Sequence, residues 1–217
     1  MRVRFEGEIA GVGSASGTRV VLGRWVRSPF GEGGEVADAM VETAAGHRVL
    51  VAPTRELADF IAATYAFDEI RVEPTTLTAA PGERVFSSRS LRLAIGVGHP
   101  TALGRLVGLV PRRLATAPAW CAVTDPIARV VLRGVRTRGT AGGGRREWYG
   151  ATGVRAVTTL DGSFDGVPLG ELRPVDPPCR FGFSSTPPRP SLTSVVTTID
   201  LPGAHPPGVA PGRRRAT

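Results

Sequence analysis

The chain has 217 residues, 41% of them hydrophobic, and a formal net charge of +8 at pH 7. All 27 basic residues are Arg, and Lys, Asn and Gln are absent, which excludes a Schiff-base lysine, a phosphate-loop lysine and a lysine general base. Length and apolar content fit one domain with a sizeable core.

The charge is uneven. Residues 1–73 carry 8 Arg against 11 acids, whereas residues 84–155 carry 13 Arg against only Asp125 and Glu147, a net of +11. Such a block either attracts an anionic partner or folds against the acidic N-terminal third. Cys121 and Cys179 lie far apart and outside any CxxC pair, so they are read as buried thiols. No signal-peptide run precedes the first strand, no apolar stretch reaches ~20 residues, and a cytoplasmic location is expected.

In chain order, residues 2–9 alternate as a half-buried strand and pair through a Gly/Ser turn with a strand at 18–26. Gly11 and Gly13 are followed by a strand, not a helix, so they are not a dinucleotide fingerprint. Residues 28–34 form a loop, 35–41 a third strand and 47–51 a fourth. Thr54 suits an N-cap, Glu56 the first turn, and Leu57, Phe60 and Ile61 one helical face, which predicts a helix over 54–65. A strand at 67–72 completes a strand–helix–strand unit. Residues 73–83, rich in Pro, Thr and Ala, read as a surface loop, and 86–97 as one strand.

Pro100 suits the first position of a helix over 101–110 whose stripe of Leu103, Leu106, Val107 and Val110 packs on the sheet. Its flanking Arg105, Arg112 and Arg113 also suit an anionic membrane surface. Asp125-Pro126 reads as a cap and first turn starting another helix. A strand follows at 132–138, a turn at 139–144, and a return through 145–149 and 154–159. Asp161-Gly162 and Asp165-Gly166 read as turns, 180–183 as a short strand and 192–201 as the last. Residues 1–201 make a single globular domain and 202–217 a disordered Pro/Arg tail. The fold class is α+β: a largely antiparallel twisted sheet or partial barrel with a few covering helices.

Residues 133–150 hold the densest set of ligand-binding groups. Arg136 and Arg138, two apart on a strand, share a face, and Arg145 projects beside them if the arms pair. Glu147 and Tyr149 complete the candidate ligand set, and the N–H groups of residues 142–144 form a candidate anion nest. The alternative is a solvated hairpin whose arginines pair with Glu147 and the acidic strands. His47, near Asp38 and Glu42, is a candidate for proton transfer or an ordinary turn histidine. No nucleophile elbow and no clustered metal ligands occur, so no cofactor and no metal are expected, and no catalytic residue is assigned. The leading expectation is a pocket for a small anionic or carbonyl-bearing molecule. The rival is a polyanion-binding module, for nucleic acid or an anionic membrane surface.

S-P-F-G-E at 28–32, G-H-R-V-L-V-A-P at 46–53, and R-G-V-R-T-R-G with G-R-R-E-W-Y-G within 133–150 resemble stretches of uncharacterised proteins from high-GC actinobacteria, a likeness that implies no activity. The layout is also similar to acetoacetate-decarboxylase-like β-rich folds. The chain departs from that family by having no lysine, so the likeness implies at most a shared fold with a pocket.

Overall fold

A computed structural model describes residues 1–30, 34–131, 135–140 and 142–201. Among them, thirteen strands form one sheet. They are β1 (Arg2–Ser14), β2 (Arg19–Arg27), β3 (Val36–Glu42), β4 (Arg48–Ala52), β5 (Glu69–Val72), β6 (Thr76–Ala80), β7 (Glu83–Ser87), β8 (Leu91–Pro100), β9 (Arg138–Thr140), β10 (Arg146–Phe164), β11 (Val167–Pro168), β12 (Leu172–Arg173) and β13 (Ser191–Asp200). The main path runs β5-β4-β3-β2-β1-β13-β10-β8-β7-β6, and the sheet curls into an open half-barrel. Four helices accompany it: α1 (Arg55–Ala62), α2 (Ala102–Gly108), α3 (Arg112–Ala115) and α4 (Pro118–Val131). The sheet is mixed, because β4 and β5 pair in parallel across the α1 crossover.

Strand alternation divides the sheet's residues between two interiors. On one face, Phe86, Leu91, Leu93 and Ile95 of β7 and β8 meet Val20, Leu22, Ala39, Val41, Val49 and Val51 of β2–β4 in one buried cluster. These strands are distant in sheet order, so only a strong curl brings them together. Glu8 on β1 ties the curl by accepting from Arg84 Nε and Nη2 on β7, at 2.8 and 2.9 Å. Burial raises the Glu8 carboxyl's pKa, but the hydrogen bonds and charges of Arg84 and Arg24 outweigh it and hold the group below its usual range. On the opposite face, Val3, Phe5, Leu50 and Ala52 pack against Leu57, Ala58 and Ile61 of α1. Thr54 caps α1, its hydroxyl accepting from Leu57 N at 3.3 Å.

Several local expectations are corrected. Residues 73–83 are not a loop: β6 and β7 form a hairpin about Gly82, whose φ is +77°. The β6 side chains are small apart from Leu77, so its alternation is faint. The strand expected over 86–97 is two, β7 and β8, joined where Ser90 N donates to Glu73. Pro100 ends β8, and Thr101 caps α2 instead, accepting from Gly104 N at 3.0 Å. The Leu/Val stripe of α2 does not seat on the sheet: Leu106 is 65% exposed, and the helix's buried residue is Gly104. A Cβ at Gly104 would fall 1.9 Å from the Val154 carbonyl oxygen of β10, so only glycine lets the helix lie flush there.

Asp125-Pro126 does not begin a helix but lies within α4; Asp125 Oδ1 accepts from the backbone N–H groups of Thr137 and Arg138. Asp161-Gly162 lies inside β10 rather than in a turn, while Asp165 and Gly166 do turn the chain, both at positive φ. Residues 180–183 are irregular, held by Phe181 packing 5.7 Å from Phe67 and by the Arg180–Glu42 ion pair. Residues 132–134 of the expected 132–138 strand, residue 141, and the expected tail at 202–217 lie outside the described residues. Among the described residues, no helix is long and apolar enough to cross a membrane.

Phe86 is fully buried at the centre of the curled cluster. Phe86→Ala is expected to destabilise the fold by about 3–5 kcal/mol, read from the urea unfolding midpoint. A loss within ~0.5 kcal/mol, the usual range for surface changes, would contradict the curl.

Candidate functional site

A cavity of about 420 Å³ lies between the helix-covered face of the sheet and α1, α2 and α4. Strand alternation aims its sheet-borne groups: Asp38 and Met40 from β3, Gly23 and Trp25 from β2, Thr193, Val195 and Thr197 from β13, and Glu147, Tyr149 and Ala151 from β10. The helices add Phe60, Leu103, Leu106, Val107 and Trp120. The walls are therefore mainly apolar, with polar groups concentrated at a few points. Leu106 both lines the cavity and is largely exposed, so the cavity reaches the surface beside α2.

The densest polar cluster surrounds Glu147, which is fully buried. Its Oε2 accepts from the Tyr149 hydroxyl at 2.7 Å and from the Tyr65 hydroxyl at 3.0 Å, and the two hydroxyls also contact each other. Burial pushes the Glu147 carboxyl above its ordinary range; the tyrosine hydrogen bonds and the Arg145 charge offset only part of that. Both phenols are raised well above the usual tyrosine range. For Tyr65 the causes are burial and then the Glu147 charge; for Tyr149 they are burial, then the charges of Tyr65 and Glu147. Both therefore stay protonated donors.

Asp38, 4% exposed, is the other buried acid on the cavity wall among the described residues, with Oδ1 accepting from Trp25 Nε1 at 2.9 Å. Burial pushes it up to about 7, against that one hydrogen bond. Asp38 also contributes to raising Tyr65, so the two acids share an electrostatic neighbourhood.

Of the residues singled out in the sequence, Arg136, Glu147 and Tyr149 line the cavity. Arg138 does not: it opens β9, opposite Trp148, with its side chain exposed. Arg136 precedes that strand, so the two arginines do not share a strand face. Arg145 turns to α1, donating from Nη1 to the Phe60 carbonyl and the Thr64 hydroxyl, both at 2.8 Å, with its guanidinium 4.8 Å from the Phe60 ring. It is absent from the cavity wall. In the glycine turn, Gly142 N donates to Thr64 O at 3.2 Å, so that N–H is not available to an anion nest. His47 faces neither Asp38 nor Glu42; its Nε2 lies 3.2 Å from Glu69 at an exposed edge. His99 is exposed.

Sequence reasoning missed Asp38 and Tyr65 as one site with Glu147. The available signal for Asp38 was a lone acid at the centre of V-A-D-A-M-V. It also missed Thr186 and Thr197, which carry no signal in isolation. Both cysteines are buried and free, and burial pushes their thiols up, Cys121 to about 11 and Cys179 to about 12, so neither is a thiolate at neutral pH. Among the described residues, no group of three or more His, Cys, Asp or Glu is placed to hold a metal ion. Part of the basic block folds against acids: Arg84 pairs with Glu8, Arg112 with Glu6, Arg136 with Asp125 and Arg146 with Asp200.

The Asp38 environment sets a pH dependence of stability. Between the ordinary aspartate value near 4 and about 7, the unfolded chain loses its Asp38 proton while the folded chain keeps it. This residue's contribution to stability therefore falls as pH rises through that window and levels off above it. Asp38→Asn can still accept from Trp25 and removes the effect. Its melting temperature relative to wild type is expected to be higher at pH 8 than at pH 5, and an equal difference at both would refute the assignment.

No family model matches the chain, and no curated protein does. Among solved structures, the fold is similar to that of acetoacetate decarboxylase from Legionella pneumophila subsp. pneumophila str. Philadelphia 1, with a TM-score of 0.42 and 6% identity over 91% of this chain and 84% of that one. A likeness this distant carries no argument about chemistry.

Proposed function

We propose that the chain binds a small, mainly apolar molecule bearing a carbonyl or carboxylate group, held in the cavity with its oxygen against the polar cluster. The observation that carries this reading is a set of four buried polar atoms in cavity-lining residues. Glu147 Oε1, Arg136 Nε, Thr186 Oγ1 and Thr197 Oγ1 have no hydrogen-bond partner among the described residues; the ion pair of Arg136 Nε with Asp125 Oδ1, at 3.7 Å, is too long for a hydrogen bond. Each such atom costs about 1–3 kcal/mol, and a ligand that supplies partners offsets that cost. Arg136 Nε donates and the two hydroxyls can donate, so three of the four atoms complement oxygen acceptors. The apolar walls match the rest of such a ligand.

The dispersal of the arginines supports this reading over a polyanion surface. Arg84, Arg112, Arg136 and Arg146 are paired with acids and Arg145 is tied to α1.

Trp25 and Trp120 line the cavity, so intrinsic fluorescence reports on it. Titration with octanoate or 2-octanone is expected to give a saturable change. Arg136→Ala is expected to weaken octanoate binding roughly tenfold or more, the worth of one hydrogen bond to a charged group, while Arg138→Ala leaves it unchanged. No saturable change with either probe, or equal effects of the two substitutions, refutes the reading.

A further inference from the structure

We propose that the outer face of α2 and α3 docks the protein on an anionic phospholipid surface, with Leu106 and Leu109 entering the lipid and Arg105 and Arg113 meeting the headgroups. The cavity reaches the surface beside this face, but the docking does not depend on what the cavity binds.

The fold leaves its barest apolar side chains here. Among the described residues, the three most exposed large apolar side chains are Leu109 at 81%, Leu106 at 65% and Val123 at 64%, and Leu114 is exposed as well. Leu106 lies in α2, Leu109 at its C-cap, Leu114 in α3 and Val123 in α4. The seating of α2 explains the first two. Gly104 faces the Val154 carbonyl of β10, and at about 100° per residue the side chains two and five positions on stand opposite it, away from the strand.

Positive charge collects on the same elements. Residues 100–124 contain Arg105, Arg112 and Arg113 and no acid. Arg105 and Arg113 are exposed and make no ion pair among the described residues. Arg112 pairs with Glu6 yet stays exposed. Exposed leucines flanked by unpaired arginines match a surface that offers acyl chains and phosphates together.

Other occupants match only half of this face. A two-fold dimer would set the same arginines against themselves, with no acid in residues 100–124 to meet them. A nucleic acid would meet the arginines and leave Leu106 and Leu109 without an apolar partner. A lipid surface also suits the cavity's position: Leu106, Val107 and Val110 line it, so docking brings its opening to the layer where apolar molecules concentrate.

The test is co-sedimentation of the full chain with vesicles of phosphatidylcholine alone and of equal parts phosphatidylcholine and phosphatidylglycerol. Wild type is expected to bind the anionic vesicles roughly tenfold or more tighter than the neutral ones. Leu109, Arg105 and Arg113 are absent from the cavity wall, so their replacement probes the surface alone. Leu109→Asp is expected to weaken binding to anionic vesicles roughly tenfold or more. Arg105→Glu combined with Arg113→Glu is expected to weaken it by a similar factor. Both proteins are expected to keep the wild-type melting temperature and the wild-type fluorescence response to octanoate. No vesicle binding, or equal binding to both kinds, overturns the proposal. So does a Leu109→Asp protein that binds like wild type while the double arginine variant does not, which marks attraction to any polyanion. A vesicle-free dimer that Leu109→Asp abolishes, read by sedimentation velocity, assigns the face to a second copy and overturns it too. Vesicle binding with the expected dependences but no octanoate response upholds the docking and overturns only the binding reading.

Discussion

A sheet buried on both faces has to allocate every residue to one of two interiors, and the two-residue period of the strand makes that allocation. In β3, Ala37, Ala39 and Val41 enter the curled cluster while Asp38 and Met40 face the cavity. The same rule places Glu147 and Tyr149 of β10, and Thr193 and Thr197 of β13, on the cavity side. The curled interior is built chiefly of aliphatic residues and is closed by the Glu8–Arg84 bond. That leaves the second face available for groups that do not favour folding, since burying an acid is unfavourable unless it is paired or neutral.

Glu147 shows how that difficulty is met. Its oxygens are shielded from water, yet one of them receives two phenolic hydrogen bonds. The phenols come from different elements, Tyr149 from the same strand and Tyr65 from beyond the end of α1. Arg145 then binds the last turn of α1, through Phe60 and Thr64, and so fixes the helix end that carries Tyr65. A residue that touches no cavity surface thus positions one that does.

Much of the architecture was legible wherever one short stretch carried its own evidence. The first hairpin, the β4–α1–β5 unit and the Thr54 cap follow from alternation, helical spacing and a capping hydroxyl. What was illegible depended on partners far away. β6 is a strand because β7 pairs with it, not because its small side chains say so. Asp125 resembles a cap until the N–H groups of Thr137 and Arg138 reach it. Glu147, Tyr149, Arg138 and Arg145 were grouped because polar groups crowd together there; the fold puts the first two on the cavity wall, Arg138 in solvent and Arg145 at a helix end. Asp38 and Tyr65 were passed over because a strand acid and a helix-end tyrosine acquire meaning only when sheet order brings β3, β10 and α1 around one space.

The flush seating of α2 on β10 has a further meaning. The roof of the cavity includes Leu103, Leu106 and Val107, and its height is fixed by Gly104 on the helix's other side, where one hydrogen atom stands against the Val154 carbonyl. The cavity's size is thereby governed from a position outside its wall. Evolution can widen the chamber by adding a methyl group outside it, without altering any residue of the chamber's own wall.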